Sequence, residues 1–461
     1  MTHQAAAGEG PAPFIIRFQG GTLRLEATAD VPLLPASSRW DERERVWRLP
    51  ACDYAELVMK LRAGGVRFLD AARRYEALSP ARRIKHEPFP YQGEALAAWA
   101  KRRHRGVVVL PTGAGKTFVA ALAIADRQRS TLVVVPTLDL LNQWYDSLSA
   151  AFDVPVGIIG GGYHELAGLT VTTYDSAHIH MDRLGDRFGL AIFDECHHLP
   201  SPSYALAARM CLAPFRLGLT ATPERNDNRG YDDLIGPVVF RKDITELSGE
   251  YLAAYETVRI DVALGAEERA AYDAARAVYI GFLRAHAIRM PDGWGQFVML
   301  SSQSDAGRRA FEAYRRQRSL ALCAPGKIDV LARLLHGHRH DRTIIFTEDN
   351  ATVYAISRRF LLPAITHQTR VKERSAILAG LNAGAYTAVV TSKVLNEGVN
   401  VPEANVAIVL SGNGSVREHV QRLGRVLRRR EGKTALMYEL VAAGTSEERV
   451  SDKRRDHIAY Q

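Results

Sequence analysis

Cysteine is scarce in this chain: Cys52, Cys196, Cys211 and Cys323 are the four present among 461 residues. They stand far apart and form no CxxC pair, which argues against a disulfide framework, a zinc ribbon or an iron–sulfur cluster. Buried reduced thiols are the expectation. No apolar run reaches the roughly 18 residues that a membrane-spanning helix needs. The N-terminus has no basic stretch leading into an apolar core, the mark of a secretory signal. A cytoplasmic protein with no membrane partner is therefore expected. Acidic residues are outnumbered, 51 Asp and Glu against 60 Lys and Arg, for a formal net charge of +9. That excess favours polyanionic partners through phosphate contacts, although a basic run is about as often a solvated face.

What is there is ordinary for a water-exposed globular chain, 47% hydrophobic and 24% charged, and long enough for two to four domains. The first dozen residues are rich in Ala, Gly and Pro. From Phe14 to about Tyr75, two alternating runs separated by Gly20-Gly21 read as paired strands. Trp40 to Leu49 reads as a further turn and strand, and Tyr54 to Leu61 as an amphipathic helix. Glu76 to Glu87 is polar and basic and reads as a linker. From about Pro88, short β-branched runs alternate with helical stretches: Val107–Leu110, Thr131–Val135, Leu169–Thr173, Leu190–Phe193 and Arg216–Thr220. Continuous apolar strands spaced by helices predict a parallel sheet covered on both faces. The pattern returns at Thr343–Phe346, Ala388–Thr391, Val406–Leu410 and Ala435–Tyr438, which predicts a second α/β domain. Between the two, residues 266–322 read as mainly helical.

Leu110-Pro-Thr-Gly-Ala-Gly-Lys-Thr117 follows an apolar strand and precedes a helical stretch, the context of a phosphate-binding loop. Thr112, Gly113, Ala114 and Gly115 supply backbone that can curl its N–H groups around an anion, and the following helix adds its positive dipole end. Lys116 can reach the β- and γ-phosphates, and the Thr117 hydroxyl can ligate Mg²⁺. A nucleotide site also needs acids. Asp194-Glu-Cys-His-His198 follows the apolar run Leu190–Phe193, at the strand end where open α/β sheets bind ligands. Asp194 is the expected Mg²⁺ ligand and Glu195 the group that orients and deprotonates an attacking water. A zinc site at Cys196, His197 and His198 is rejected, because no second ligand pair stands at a suitable spacing. ATP and Mg²⁺ are the expected substrate and ion.

Further stretches stand in order around these: Phe89-Pro-Tyr-Gln92, Thr220-Ala-Thr222, Thr391 to Pro402, and Gln421-Arg-Leu-Gly-Arg-Val-Leu-Arg428. Their order and spacing over about Pro88 to Val450 resemble a superfamily 2 helicase with two RecA-like domains. Within that superfamily the chain most resembles the XPB group, on Pro90-Tyr-Gln, Gly218-Leu-Thr-Ala-Thr-Pro-Glu-Arg-Asn-Asp, Pro402-Glu-Ala-Asn-Val and Gln421 to Arg428. The resemblance implies an α/β fold of two RecA-like parallel-sheet domains, at 88–250 and 323–461. It adds a small N-terminal α+β damage-recognition domain at 1–80 and a thumb-like helical insertion at 266–322. It further implies that Tyr91 and Gln92 meet the adenine, Gly398 lies near the nucleotide, Gln421 touches the γ-phosphate or the coupling network, and Arg425 and Arg428 act as arginine fingers. Thr220, Thr222 and His198 would link ATP to DNA. Pro136, Thr137, Thr173 and Thr391 would lie along the DNA path, and Arg225 and Asp227 in a strand-separation motif.

The sequence departs from that group in three places. Arg225-Asn226-Asp227 lacks the group's middle carboxylate, and Asn396 and Asn400 stand where acids flank Glu397-Gly398-Val399. Asn keeps hydrogen-bonding capacity but loses charge. A DNA helicase or translocase of 3′–5′ polarity in nucleotide excision repair is the leading expectation, acting as a monomer or transient oligomer, with a repair nuclease as a partner. A restriction or defence motor, an RNA helicase and a DNA-binding scaffold without turnover are the alternatives. Loss of residues 1–80 is expected to weaken binding to damaged or forked DNA more than ATP hydrolysis.

Overall fold

The computed structural model describes residues 14–27, 34–83, 86–222, 230–252, 255–290, 293–392, 404–411 and 435–455. Contacts divide the chain into two bodies, Met1–Asp243 and Ile244–Gln461. The division falls ahead of residue 250, so the short helix Ile244–Leu247 groups with the second body.

The first body holds two sheets. The smaller has strand order Arg39–Asp41, Val46–Pro50, Thr22–Ala27, Phe14–Gln19 and Phe68–Ala71. All pairs are antiparallel except the last, which is parallel. Gly20 and Gly21 turn the first hairpin with φ of 57° and 74°, which L side chains rarely adopt. Leu57 and Leu61 of the helix Tyr54–Ala63 pack on the buried face of this sheet against Ile16, Leu23, Leu25 and Leu49.

The larger sheet runs Val238–Arg241, Arg105–Val109, Phe215–Thr220, Leu190–Asp194, Thr131–Val135, Leu169–Thr173, Val156–Gly160 and Tyr163–Glu165. It is parallel throughout except for the final edge pair. The five strands expected from sequence occupy its middle. Their β-branched runs are buried on both faces, as in Thr131–Val135. The strands not expected, Val156–Gly160, Tyr163–Glu165 and Val238–Arg241, lie towards the edges; the two outermost are largely uncovered, while Val156–Gly160 is buried but carries two glycines among its five residues.

The small module is not an appendage of this sheet. Leu212, from the loop before Phe215–Thr220, belongs to the module's own core. A Cβ placed on Gly21 would lie 2.4 Å from Met210 Cγ, so the hairpin tip rests on that side chain. Arg74 holds the buried carboxylate of Asp186 through Nε and Nη2, and Arg74 N–H donates to the Asp186 carbonyl. The stretch after it also docks: Leu78 N–H donates to Gln128 O, and Ala77 and Arg82 form isolated bridges to Arg129 and Phe152. Removing residues 1–80 would thus uncover Leu212 and unpair Asp186, which adds a structural cost to any loss of DNA binding. A gentler probe is Arg74→Ala. Its guanidinium is 55% exposed and Asp186 only 4%, so the expected loss is about 1–2 kcal/mol. Differential scanning fluorimetry should register it as a fall of about 2–6 °C.

The second body has one parallel sheet, in the order Tyr255–Val262, Ala435–Ala442, Val406–Val409, Thr343–Phe346, Ala388–Thr391 and Ala364–Ile365. Tyr255–Val262 alternates charged and apolar residues, and its place at the edge explains why it carries no continuous apolar run. Three helices, Ala266–Ala285, Trp294–Ser302 and Asp305–Leu322, occupy the stretch expected to be helical. They close a core of their own around Tyr279, Phe282, Phe297 and Ala310. Lys327, fully buried, pairs with Glu447 at 2.5 Å and donates to the Leu410 carbonyl at 2.9 Å. Among the described residues no helix is long and apolar enough to cross a membrane.

Candidate active site

The strand Arg105–Val109 delivers the chain into the loop 110–115, and the helix Lys116–Arg127 begins directly after it. Gly113 and Gly115 have φ of 88° and 75°, the left-handed values that let the loop curl. The loop is held from three sides. Leu110 N–H donates to Thr220 O at 3.0 Å. From the helix Pro90–Lys101, Tyr91 Oη donates to the Ala114 carbonyl at 2.9 Å and Gln92 Nε2 donates to the same carbonyl at 3.2 Å. Gln92 Oε1 accepts the Phe89 N–H at 3.0 Å. A Cβ on Gly115 would come within 2.6 Å of Gln92 Nε2, so a side chain there would displace that amide. Tyr91 and Gln92 are thus buried braces of the loop, in addition to any contact with a base. Lys116 Nζ donates to the Leu110 carbonyl at 3.2 Å, within its own loop. Thr112 and Thr117 are half-buried and Gly113 is exposed.

Asp194 ends the strand Leu190–Asp194 and is buried. Its Oδ2 accepts the Trp144 indole N–H at 2.8 Å and its Oδ1 accepts the Glu195 N–H at 3.0 Å. Its carbonyl accepts the Tyr174 hydroxyl at 3.0 Å. Burial pushes the Asp194 carboxyl above the usual carboxylate range, opposed by the charge of Lys116 and by the Trp144 hydrogen bond. Lys116 and Asp194, far apart in sequence, therefore interact electrostatically. Glu195 has φ 45° and ψ 49°, a left-handed conformation uncommon for a residue with a side chain. Such strain gathers at functional positions.

Thr220 closes the strand beside Asp194. Its hydroxyl donates to Thr222 O at 3.1 Å and accepts the Thr222 N–H at 3.2 Å. The His197 ring reaches it: His197 Nδ1 lies 3.0 Å from Thr220 Oγ1 and 3.5 Å from Glu195 Oε2. His198 packs beside it, with ring centroids 4.3 Å apart. The reason is the short 3₁₀ turn Cys196–His198, which turns His197 inward to full burial and leaves His198 half-buried. Cys196 is also buried, and burial pushes its thiol well above the ordinary range.

The threonines expected along a DNA path stand at the same ends of their sheets. Thr137 follows Pro136 and caps the helix Leu138–Ala151, its Oγ1 accepting Leu140 N–H at 3.3 Å. Thr173 caps the helix Tyr174–Leu184, accepting Ser176 N–H at 3.1 Å. Thr391 ends its strand in the second body, where it is buried and donates to Ser392 O at 3.1 Å. Asp139 and Asp175 lie in the first turns of the two capped helices, and Asp175 accepts the Tyr204 hydroxyl at 3.0 Å. Phosphate contacts there would rest on hydroxyls and backbone N–H groups. Arg225, Asn226, Asp227, Asn396, Gly398, Asn400, Gln421, Arg425 and Arg428 lie outside the described residues.

This geometry gives three further residues a part in the site: Trp144, Tyr174 and His197. A histidine two positions beyond Glu195 was visible as a candidate. Trp144 and Tyr174 gave no local signal, because their contact with Asp194 depends on which strands become neighbours.

Three family models match the chain in order. Residues 16–72 match the xeroderma pigmentosum group B helicase damage recognition domain. Residues 85–225 match the type III restriction enzyme, res subunit, and 308–461 the ERCC3/RAD25/XPB C-terminal helicase. The chain is 42% identical over 381 residues to the DNA 3'-5' translocase XPB2 of Sulfurisphaera tokodaii, covering 82% of this chain and 86% of that protein. It is 31% identical to the DNA 3'-5' helicase XPB of Kineococcus radiotolerans, over 81% of this chain but 63% of that longer protein. Among solved structures, the Hef helicase domain of Pyrococcus furiosus is similar in fold, with a TM-score of 0.54 at 19% identity, covering 80% of this chain and 98% of that one.

Proposed function

The chain belongs to the XPB family of superfamily 2 DNA helicases, and from that footing we propose that it couples ATP hydrolysis to 3′–5′ movement on DNA. The observation that carries the reading is the ordered match of all three family segments along one chain. The phosphate loop and the acidic strand end support it chemically, because a phosphate cradle and a buried carboxylate share one end of one sheet.

In this reading the loop 112–117 holds the triphosphate with backbone N–H groups, and Lys116 leaves the Leu110 carbonyl to face the β- and γ-phosphates. The residues fit Mg²⁺: the Thr117 hydroxyl and the Asp194 carboxylate are hard oxygen donors, and the hydrogen bonds on the carboxylate come from N–H groups that favour its charged form. When bound, the ion would neutralise charge on the phosphate oxygens. Glu195 orients water and accepts its proton. His197 hydrogen-bonds Thr220 Oγ1 through Nδ1, and the same atom lies 3.5 Å from Glu195 Oε2, which sets the ring beside the base. From the second helicase domain, Gln421, Arg425 and Arg428 are proposed to meet the γ-phosphate. Fingers of this kind contribute on the order of 10³–10⁵ in rate. Pro136, Thr137, Thr173 and Thr391 are proposed to line the DNA path, with binding that is salt-sensitive and largely independent of sequence.

We extend the reading to nucleotide excision repair, on the strength of the damage-recognition match at 16–72, with a repair nuclease as the partner that cuts opened DNA. A restriction-type motor has one observation behind it, the res-subunit match at 85–225. The matches on both sides of that segment favour XPB-type work. Strand displacement with single-tailed duplexes tests the function: 3′-tailed substrates should be opened in an ATP-dependent way and 5′-tailed ones left paired. Equal opening of both, or none alongside a DNA-independent ATPase, would overturn it.

A further inference from the structure

Two aromatic side chains outside the nucleotide loop donate hydrogen bonds to Asp194. Trp144 donates its indole N–H to the carboxylate at 2.8 Å, and Tyr174 donates its hydroxyl to the backbone carbonyl at 3.0 Å. Both donors are buried, with 2% and 0% of their surface exposed. Each belongs to a helix whose cap is one of the two threonines placed on the DNA path, Thr137 for Trp144 and Thr173 for Tyr174. The strand Thr131–Val135, which leads to Thr137, pairs directly with Leu190–Ile192 and Phe193, and with Leu169–Thr173 on its other side. The sheet order thus sets the helix start at Thr137 on the strand beside the one that ends in Asp194, and the helix start at Thr173 one strand further out.

We propose that Trp144 and Tyr174 are positioning residues that transmit nucleic-acid engagement at these two helix starts to Asp194, and so set how strongly DNA stimulates ATP hydrolysis. The inference rests on the placing of Thr137 and Thr173 on the DNA path. A helix moves as a rigid element, so a small displacement at its cap reaches Trp144 about two turns on. Packed interiors pass such displacements on rather than absorbing them. Tyr174, the first residue of its helix, adjoins its cap directly. A displacement of either donor changes the direction and length of a hydrogen bond on Asp194, the acid of the nucleotide site. Lys116 acts on the same carboxylate electrostatically, so the nucleotide side is felt at that point as well. Coupling between two binding sites is reciprocal: if DNA engagement raises ATP affinity through Asp194, ATP must tighten DNA by the same factor, while kcat is free to change by a different one.

Trp144→Phe and Tyr174→Phe test this, since each keeps an aromatic ring and removes the donor. In the full-length protein, ATPase rates are measured with and without a duplex oligonucleotide. DNA affinity is measured by fluorescence anisotropy with and without a non-hydrolysable ATP analogue. Each variant should lower the ratio of DNA-stimulated to DNA-free kcat, by about 5-fold or more where coupling is of ordinary strength. The tightening of DNA by the analogue should shrink in parallel. A role in packing alone would lower the melting temperature and reduce both rates in proportion, leaving the ratio and the analogue effect where they were. That result in both variants, or an unchanged ratio in both, overturns the proposal. If one variant does not fold, the other decides. Absence of any DNA stimulation in the unaltered protein would instead overturn the motor reading on which the inference stands.

Discussion

Glu195→Gln is expected to bind ATP and stop turning it over. The substitution is nearly isosteric, and Gln tolerates φ 45° about as poorly as Glu does, so no new backbone cost arises. The hydrogen bond that matters to the turn, Glu195 N–H to Asp194 Oδ1 at 3.0 Å, involves only the backbone N–H and persists. What disappears is a carboxylate able to take a proton from water. Positioned bases of this kind contribute on the order of 10²–10⁴ in rate, and DNA-stimulated kcat should fall by that much. Equilibrium binding of a fluorescent ATP analogue should change little, and DNA affinity in the presence of ATP should rise, because the ATP-bound state now persists. Turnover close to that of the unaltered protein would remove Glu195 from the role of base.

Lys116→Ala should fail at the earlier step. Lys116 opens the helix that follows the loop, where Ala is a good helix former, so folding should be little affected. Its ammonium lies within reach of the Leu110 carbonyl and acts on Asp194, where its charge opposes the effect of burial. Without it the triphosphate loses its cation, and Asp194 is left more easily protonated. Losing a single charge-stabilising donor costs on the order of 10²–10³ in rate, and binding suffers besides, so kcat/KM should fall further than kcat. The pair of variants separates the steps: ATP analogue binding survives in Glu195→Gln and is lost in Lys116→Ala. Unaltered ATP affinity in Lys116→Ala would mean that the loop alone, through its N–H groups, carries the phosphate site.

The legibility of the chain followed burial. Leu190–Phe193 and Thr131–Val135 announce themselves because both faces of a central parallel strand are covered. Tyr255–Val262 does not, because an edge strand needs no continuous apolar run. The phosphate loop was legible for a similar reason: Gly113 and Gly115 answer a local backbone demand, and local demands are written locally. That His197 faces Thr220 follows only from the short turn after Glu195. The N-terminal module was recognisable as strands and a helix, yet its shared core with Leu212 and its Arg74–Asp186 pair link residues more than a hundred positions apart.

The sequence by itself determined the chemistry available to this protein. It carries a glycine loop ending in Lys116 and Thr117, an Asp-Glu pair after an apolar strand, and two runs of parallel strands spaced by helices. Those follow from short-range rules of backbone freedom, burial and charge. The tertiary structure alone decided which distant groups hold the chemistry in place. Tyr91 and Gln92 brace the loop, and Trp144 and Tyr174 hold Asp194. Their positions depend on the order of strands in the sheet, and strand order is chosen by the packing of the whole domain rather than by any one segment.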